Sequence, residues 1–403
     1  MSDFYQHGLI CTLHHLNNHA LEKMESEMEQ SNKRRPIGLL LPSLFSELER
    51  PAMQTIVEEL KKVPYLSQIV ISMNRMSGSQ FDEARRFFDQ LPQQHIIIWN
   101  DGPRIEKLYR WLKQRDLAAY IPGKGYNVWM GLGYLLAQRN IDVVAVHDCD
   151  IINYNRELLA RLLYPVADPS QPYEFCKGFY SRVTDRLHGR ATRLLMQPLL
   201  YAMIRVCGHL PLLDYLSNFR YVLSGEMAIT TELARAIRIP GNWGLEVALL
   251  AEIHRNTTTR RVCQSDITLN YEHKHQPLSP RDAREGLHRM AVDICKSLFR
   301  TISSEGVHLS PTLFATLRTT YVRHAQDLVD RFSHDAEINN LKFDRNEELT
   351  AVETFVKAIH EAGEAFLKDP LSTSFIVNWN RVNSALEGFS QELMEAVRLD
   401  NQP

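Results

Sequence analysis

The sequence has little cysteine, no long apolar run and almost no excess of charge. Its six cysteines in 403 residues lie far apart, without the short paired spacings of a disulfide framework or a zinc site. We therefore expect reduced thiols and a cytoplasmic protein. The formal net charge of -2 excludes the basic field typical of nucleic-acid binding, so any phosphate must be bound by a local group of residues.

Membrane spans and leader segments are also missing from the pattern. The longest apolar stretches, such as residues 37–41, fall far short of the roughly 20 residues that cross a bilayer. The N-terminus lacks a basic segment followed by an apolar one. There is no internal repeat and no low-complexity stretch. We expect a folded, soluble protein, and 403 residues suffice for one large domain or for two.

Three regions of the chain differ in periodicity. Residues 8–31 carry apolar side chains at helical spacing, which predicts an N-terminal helical arm over residues 1–35. Short apolar runs then alternate with helical stretches up to residue 280, a pattern typical of a parallel sheet with helices on both faces. Residues 281–403 are helical in pattern. This C-terminal region is predicted to pack on the α/β domain or to mediate self-association.

The alternating region predicts a Rossmann-like α/β arrangement. Strands are predicted at residues 37–41, 68–73, 95–99 and 143–147. Helices are predicted at residues 52–62, 81–90, 104–115 and 126–138, and in the C-terminal region at 281–303, 310–332, 347–368 and 373–398. Ligands of such folds bind at the carboxyl ends of the strands, so we expect the chemistry in the residues that follow each short apolar run.

The strongest local signal follows the fourth predicted strand. The segment His147–Asp150 (HDCD), which carries Asp148 and Asp150, comes directly after the apolar run Val143–Val146. Two carboxylates at i and i+2 beyond a strand end can both reach a hard divalent cation, or one can hold the cation and the other a sugar nucleotide. Mg²⁺ or Mn²⁺ at this place would neutralise a diphosphate and improve it as a leaving group. The spacing alone is common in loops, but its position after a buried strand favours a metal site.

Two upstream segments suit a nucleotide. Residues 122–125 (PGKG) open a predicted helix, where the glycines permit close backbone approach, the helix N-terminus favours phosphate and Lys124 adds positive charge. The alternative is an ordinary loop with a solvated lysine, and Gly125 after the lysine excludes a Walker loop. Residues 41–49 (LPSLFSELE) follow the first strand, where a base and ribose would lie; they also fit a helix cap formed by a serine.

Three downstream segments carry further polar groups. Glu226 and Glu246 each stand beside glycine-containing turns, which also fits carboxylates that face solvent. His273 and His275 would lie on one side of an extended segment, and an imidazole can join a carboxylate on a divalent ion. A polar surface pair is the alternative interpretation of these two histidines.

In this order, the segments resemble the glucosyl-3-phosphoglycerate synthases, a retaining family of metal-dependent glycosyltransferases with the GT-A fold. The resemblance covers about residues 37–292. It rests on seven motifs in register: Pro-x-Leu-x-x-Glu, Gly-Lys-Gly, Asp-x-Asp, Gly-Arg-x-Thr, Leu-Ser-Gly-Glu, Gly-x-Glu and an Ala-His-Arg-Asn-like ending. It implies a GT-A mixed sheet flanked by helices over residues 36–280, with a nucleotide-binding part at 36–150 and an acceptor part at 151–280.

The resemblance also implies a nucleotide site at the first strand. The family's uridine and ribose contacts match Pro42, Ser43 and Leu44. Glu47 is the acidic partner, and Ser46 competes for that position. The donor is then a nucleoside-diphosphate sugar, with UDP-glucose implied by the family.

Four further residues match the family's diphosphate and metal positions. Lys124 corresponds to the lysine on the diphosphate side, and Asp148 to the carboxylate beside the ribose and sugar. Asp150 and His273 correspond to the ligands of the divalent cation, Mg²⁺ or Mn²⁺. The cation is the one cofactor that the resemblance implies.

The acceptor, 3-phosphoglycerate, is expected at the Gly-Arg-x-Thr motif. Gly189, Arg190, Ala191 and Thr192 combine backbone amides with a guanidinium, which suits a small phosphorylated anion. His275 stands where the family has an asparagine near the acceptor. The product implied is glucosyl-3-phosphoglycerate.

The catalytic set implied by the resemblance consists of Glu246, the backbone carbonyl of Leu223 and Asp150. Glu246 and Leu223 bracket the reacting sugar. The family mechanism has no protein nucleophile, because the leaving diphosphate oxygen accepts the acceptor's proton on the same face. The enzyme then contributes positioning and charge stabilisation.

Departures from the family pattern leave alternatives open. Residues 72–74 (SMN) replace the acidic and serine turn that usually follows the second strand, which weakens the assignment of the base. Mannosyl transfer from GDP-mannose and free glycerate as acceptor are the nearest alternatives. A nucleotidyltransferase and a non-catalytic sugar-nucleotide binder are more distant ones. We expect a homodimer, without nucleic acid or membrane as partner.

Overall fold

Ten strands of the computed structural model lie within the residues that it describes, which are 6, 8–17, 19–118, 120–121, 123–272, 286–372 and 375–402. They are β1 Cys11–Leu13, β2 Ile37–Leu44, β3 Leu66–Asn74, β4 His95–Trp99, β5 Val143–Val146, β6 Phe175–Tyr180, β7 Met227–Thr230, β8 Ile239–Pro240, β9 Val262–Thr268 and β10 Phe375–Ile376.

Helices surround these strands and make up most of the C-terminal region. They are α1 Leu21–Asn32, α2 Pro51–Leu60, α3 Gly78–Phe88, α4 Pro103–Gln114, α5 Lys124–Ala137, α6 Arg156–Ala167, α7 Gln197–Cys207, α8 Pro211–Ser217, α9 Thr231–Ala236, α10 Leu245–Asn256, α11 Gly286–Ser304, α12 Pro311–Ile338, α13 Arg345–Lys368, α14 Trp379–Ala385 and α15 Phe389–Asp400. Residues Ala191–Met196 form a short π-helical turn before α7.

The main sheet has eight strands in the order β1-β9-β6-β7-β5-β2-β3-β4. Strands β5, β2, β3 and β4 run parallel, while β7 is antiparallel to both of its neighbours, β5 and β6. The predicted mixed sheet flanked by helices is therefore confirmed. Strand β2 reads as a continuous apolar run because helices cover both faces of the sheet, and all its residues but the last are buried.

The alternation of strands and helices was predictable because each element carries its own local pattern. The first four predicted strands correspond to β2, β3, β4 and β5, and the helices between them to α2 through α5, within a few residues at each end. The last predicted C-terminal helix, residues 373–398, is wrong as one element. The described part of this segment contains β10, α14 and α15, and Gly388 adopts a left-handed conformation, with φ +80°, just before α15.

The N-terminal prediction is wrong in its first half. Residues 8–31 were expected to be one helix, but Cys11–Leu13 forms the edge strand β1, in parallel register with residues 263–265 of β9. The side-chain amide of Gln264 donates a hydrogen bond to Thr12 Oγ1 at 2.9 Å. Pairing with a distant strand here overrides the local helical periodicity, and α1 begins only at Leu21.

The C-terminal region packs directly on the sheet domain. Trp379 of α14 stacks on Trp129 of α5, with ring centroids 4.4 Å apart, and both indoles are buried. Each indole N–H reaches across, from Trp129 to the Val377 carbonyl and from Trp379 to the Trp129 carbonyl. Gly133 makes room for this stack, because a Cβ there would lie 1.8 Å from the Trp379 ring. The helical region thus fixes the back of α5, whose N-terminus carries Lys124.

Two further features concern the cysteines and the apolar character of the helices. All six cysteines lie in the described residues and have free thiols. None of the helices in the described ranges combines the length and apolar character needed to cross a membrane.

Candidate active site

A cavity of about 1060 Å³ opens at the carboxyl ends of β2, β3 and β5. It is lined by every predicted site residue that the structure describes, namely Pro42, Ser43, Leu44, Glu47, Lys124, Asp148, Asp150, Gly189, Arg190, Ala191, Thr192, Leu223 and Glu246. The predicted residues His273 and His275, and Pro122 of the PGKG segment, lie outside the described residues. Residues from motifs up to about 200 positions apart in the chain therefore share one space.

Lys124 lies at the centre of one group of ion pairs in this cavity. It is the first residue of α5, and its Nζ lies 2.7 Å from Asp148 Oδ1 and 3.1 Å from Glu246 Oε1. Burial by itself would lower the pKa of Lys124, but the two carboxylates outweigh burial and raise it. Lys124 is therefore a charged ammonium that links the carboxylate after β5 to the carboxylate at the start of α10.

Negative charge accumulates around Asp150. Burial is the main reason that the pKa of Asp150 rises to about 7, and the neighbouring carboxylates of Asp148 and Glu47 raise it further against the pull of Lys124. Carboxylate oxygens are ligands that suit a hard divalent cation. Within the described ranges no three His, Cys, Asp or Glu side chains converge on a single ion position, and the third predicted ligand, His273, lies outside those ranges.

The glycines of the motifs have a packing role that spacing did not reveal. A Cβ on Gly125 would lie 2.2 Å from the Pro240 carbonyl oxygen, and a Cβ on Gly123 would lie 2.8 Å from the Gly241 carbonyl oxygen. These glycines let the start of α5 contact the backbone at the end of β8 and at Gly241. Gly225 is similarly constrained, because its Cβ would lie 2.7 Å from Asp148 Oδ2 and 2.8 Å from Lys124 Nζ.

A buried hydrogen-bond network lies behind the Leu-Ser-Gly-Glu segment. Glu226 is fully buried and accepts hydrogen bonds from the hydroxyls of Tyr180 at 2.7 Å, Tyr271 at 2.5 Å and Ser224 at 3.0 Å. The interpretation of Glu226 as a solvent-facing carboxylate is therefore wrong. Three hydroxyl donors compensate the burial of this polar side chain, an arrangement that is visible only once β6, β7 and residue 271 are brought together.

Lys177 is a second residue that sequence reasoning missed. It lies in β6, is 1% exposed, and donates a hydrogen bond to the Ser224 carbonyl. Burial lowers the pKa of Lys177 to about 8, although Glu246 and Glu226 act to raise it. The available signal was a lysine inside the otherwise apolar run FCKGFY, because a buried strand rarely contains a charge without a partner.

The predicted acceptor motif begins at a left-handed glycine, Gly189, with φ +75°. Its carbonyl accepts hydrogen bonds from the amides of Thr192 and Arg193, so the Thr192 amide is already used within the turn. The Thr192 hydroxyl is buried with no hydrogen-bond partner among the described residues. The Arg190 guanidinium is paired with Glu347 and Glu348, which the motif alone did not predict.

Fold and site together define a class. In a mixed sheet flanked by helices, Asp148 and Asp150 follow the central strand β5. Lys124, at the N-terminus of a helix, contacts Asp148 and also the carboxylate of Glu246. These are the parts of a nucleotide-sugar glycosyltransferase with the GT-A fold.

Comparison with known proteins identifies the family within this class. The chain is 45% identical over 401 residues to a glucosyl-3-phosphoglycerate synthase of Persephonella marina, covering 100% of this chain and 99% of that protein. It is 36% identical over 404 residues to a glucosyl-3-phosphoglycerate synthase of Methanococcoides burtonii, covering 99% and 98%. The chain belongs to the glucosyl-3-phosphoglycerate synthase family. No protein-family model matches it.

Solved structures support the same fold. The crystal structure of the glucosyl-3-phosphoglycerate synthase of Mycobacterium tuberculosis in complex with Mn²⁺, uridine diphosphate and phosphoglyceric acid matches with a TM-score of 0.54 at 20% identity. The match covers 74% of this chain and 86% of that one. A complex of the same enzyme with Mn²⁺, uridine diphosphate and glucosyl-3-phosphoglycerate matches with a TM-score of 0.53. The predicted GT-A fold is thereby confirmed.

Proposed function

We propose that this chain transfers glucose from a nucleoside-diphosphate glucose, with UDP-glucose as the first candidate, to 3-phosphoglycerate. The bond from the anomeric carbon to the diphosphate breaks, a bond to the acceptor hydroxyl forms with retained configuration, and the leaving diphosphate takes the acceptor's proton. The observation that carries the proposal is the meeting of the donor, metal and acceptor motifs in one cavity. The names of the two relatives and the ligands of the solved complexes support the same reaction.

The donor nucleotide is proposed to bind at the end of β2. Pro42, Ser43 and Leu44 would contact the base and ribose, and Glu47 would act as the acidic partner. Ser43 and Glu47 are already buried, at 5% and 7% exposure, so this part of the site is preformed. Asp148, held by Lys124, would face the ribose and sugar.

Asp150, with His273, is proposed to hold Mg²⁺ or Mn²⁺. A bound divalent ion supplies charge neutralisation for the diphosphate, which is worth several kcal/mol in related chemistry. Lys124 adds a fixed positive charge on the diphosphate side and orients Glu246 through their 3.1 Å ion pair. Charges that are already held in place require little reorganisation when negative charge develops on the leaving group.

The acceptor is proposed to lie between the Gly189–Thr192 motif and the reacting sugar. Gly189, Arg190, Ala191 and Thr192 would bind the carboxylate and phosphate, with His275 beside them. This assignment is supported by their shared position on the cavity wall and by the unpartnered Thr192 hydroxyl.

Two groups would position the transferred hexose. The Leu223 carbonyl and the Glu246 carboxylate are proposed to bracket it, and both residues line the same cavity. Lys177 and Glu226 stabilise the segment that carries Leu223 from behind, through the Ser224 carbonyl and hydroxyl.

The activity is tested with the purified full-length chain, Mg²⁺ or Mn²⁺, and pairs of donors and acceptors. UDP-, ADP- and GDP-glucose and GDP-mannose are each incubated with 3-phosphoglycerate and with glycerate, and products are identified by mass spectrometry and NMR of the anomeric proton. We expect glucosyl-3-phosphoglycerate and a nucleoside diphosphate. No product from 3-phosphoglycerate with any donor would defeat the proposal, and release of pyrophosphate would indicate a nucleotidyltransferase.

A side chain at Gly225 should disturb the charged centre. We expect Gly225→Ala to lower kcat/KM by about tenfold to a hundredfold, because the new methyl group would push apart Lys124 and Asp148, and small misplacements of positioning groups have costs of this size. Steady-state kinetics measures the effect. Gly78→Ala is the matched control, since its Cβ would meet only ordinary contacts with Trp99. Equal kinetics of the two variants would contradict this role of Gly225.

We further propose a cytoplasmic homodimer that associates through the C-terminal region, residues 281–403. The free thiols support a reducing compartment, and Ile338 and Leu371 of that region are 85% and 70% exposed, which suits a covered surface. Light scattering should then give twice the monomer mass of 46.6 kDa.

The division of the sheet domain into a nucleotide-binding part at 36–150 and an acceptor part at 151–280 is proposed from the resemblance to the family.

A further inference from the structure

The C-terminal helix α13 supplies two carboxylates to the arginines of the proposed acceptor site. Arg190 Nη2 lies 2.6 Å from Glu347 Oε2, and Arg190 Nε lies 2.7 Å from Glu348 Oε1. The second oxygen of Glu348 lies 2.9 Å from Arg193 Nη1. Glu348 therefore bridges two arginines, whereas Glu347 contacts one of them.

The two glutamates differ in their surroundings. The Glu348 side chain is 5% exposed, and both of its oxygens accept hydrogen bonds from guanidinium groups. The Glu347 side chain is 48% exposed and lines the cavity itself. An exposed ion pair is weak and exchanges readily, while loss of one partner from a buried pair is costly. Glu348 thus holds Arg190 and Arg193 in a fixed position, and Glu347 is a carboxylate that another anion can replace on Arg190.

The acceptor motif and the start of α13 are held next to each other by a separate contact. Lys342 donates its backbone amide to the Asp185 carbonyl at 2.8 Å, and its Nζ lies 2.8 Å from Asp185 Oδ2. This contact lies a few residues before Arg190 on one segment and before Glu347 on the other. Glu347 therefore stays near Arg190 even when its own ion pair opens.

Charge balance explains what such a carboxylate does. Within this cluster the charges of Arg190 and Arg193 are balanced by those of Glu347 and Glu348, so Arg190 offers little net attraction while Glu347 remains on it. A phosphate group pairs with a guanidinium in the same bidentate manner as a carboxylate. An incoming phosphorylated acceptor and Glu347 would thus compete for the same donors.

We propose that Glu347 is a displaceable carboxylate that occupies the acceptor's place on Arg190 and thereby limits the affinity for the phosphorylated acceptor. Glu348 is a positioning residue that holds Arg190 and Arg193 in place whether or not the acceptor is bound. The inference rests on the proposed function, because it takes Arg190 as part of the acceptor site.

The test is Glu347→Gln in the full-length enzyme. We expect the KM and the calorimetric Kd for 3-phosphoglycerate to fall about two- to fivefold, the range expected when an exposed ion pair stops competing. The kcat and the KM for the nucleotide sugar should stay within twofold, because Glu347 does not contact the donor motifs. Glu353→Gln, an exposed glutamate on the same helix, is the matched control and should change none of these values.

Glu348→Gln should act in the opposite direction and raise the KM for 3-phosphoglycerate about tenfold or more. The reason is that Arg190 and Arg193 lose the buried carboxylate that holds them in place. If that variant does not fold, Glu347→Gln still decides the matter. An unchanged or higher KM in Glu347→Gln, in an enzyme whose wild type turns over 3-phosphoglycerate, would overturn this inference alone. A wild type that neither binds nor glucosylates 3-phosphoglycerate would instead overturn the proposed function.

Discussion

Asp150→Asn should lower kcat by about three orders of magnitude or more at saturating Mg²⁺ or Mn²⁺. The amide keeps the size of the side chain but removes the negative charge that is proposed to hold the ion, and a metal Lewis acid contributes several kcal/mol at about 1.4 kcal/mol per tenfold. Steady-state kinetics measures the loss of turnover, and calorimetric titration with the ion measures the loss of metal binding. Turnover like that of the wild type in the folded variant would remove Asp150 from the metal site.

The thermal stability of Asp150→Asn without metal shows whether low activity comes from loss of the ion or from loss of the folded structure. Burial beside Asp148 and Glu47 raises the pKa of Asp150 from its ordinary 3.8 to about 7, so the folded protein binds more protons than the unfolded chain between these values. The stability from this group is full below about pH 4 and is lost as the pH rises through 7. The substitution removes this loss, so at pH 8 without metal the Tm of Asp150→Asn should equal or exceed that of the wild type.

Lys124→Met should lower kcat/KM for the nucleotide sugar by about two to three orders of magnitude. Lys124 is the part-buried ammonium that contacts Asp148 and Glu246, and removing one preorganised charged group that stabilises developing negative charge costs roughly 10²–10³ in rate. The Tm should fall as well, because the part-buried carboxylates of Asp148 and Glu246 then lose the ammonium that lies between them. Kinetics with varied donor and thermal unfolding measure the two effects.

Two further variants make this expectation specific. Glu246→Gln, added to Lys124→Met, removes one of the uncompensated charges and should recover part of the stability while turnover stays low. Lys107→Met, at an exposed position on α4, is the control and should change neither quantity. A Lys124→Met enzyme with wild-type kcat/KM would show that the lysine has no part in donor binding or in orienting Glu246.

The strand ends were the part of the site that could be read in advance. Strand β5 is an uninterrupted apolar run, and the two aspartates follow it directly, so a local pattern marks both the strand and the place of its polar exit. Lys124 was readable for the same reason, because it opens a helix with a clear apolar pattern. The resemblance to the family then connected these segments before any contact between them was known.

Other features had no such local mark. The sequence around Glu226, a glutamate beside a glycine, also fits a carboxylate exposed in a turn. Only the contacts with Tyr180 and Tyr271 make it a buried acceptor of hydrogen bonds. Strand β1 carries a helical pattern and becomes a strand because β9 offers it a free edge. Glu348 looks like one of many glutamates on a polar helix until Arg190 reaches it across the fold.

The amino-acid sequence by itself determined the order of strands and helices from β2 to β5, the polar residues at the strand exits and the family to which the motifs point, since each motif depends on neighbours within a few positions. The tertiary structure decided which charges are buried together, which glycines are required by backbone contacts, and which carboxylates hold Arg190. Those outcomes depend on pairs of groups that lie from two dozen to more than 150 residues apart in the chain. Their energies come from desolvation and Coulomb attraction at short distance, and neither exists until the chain has folded.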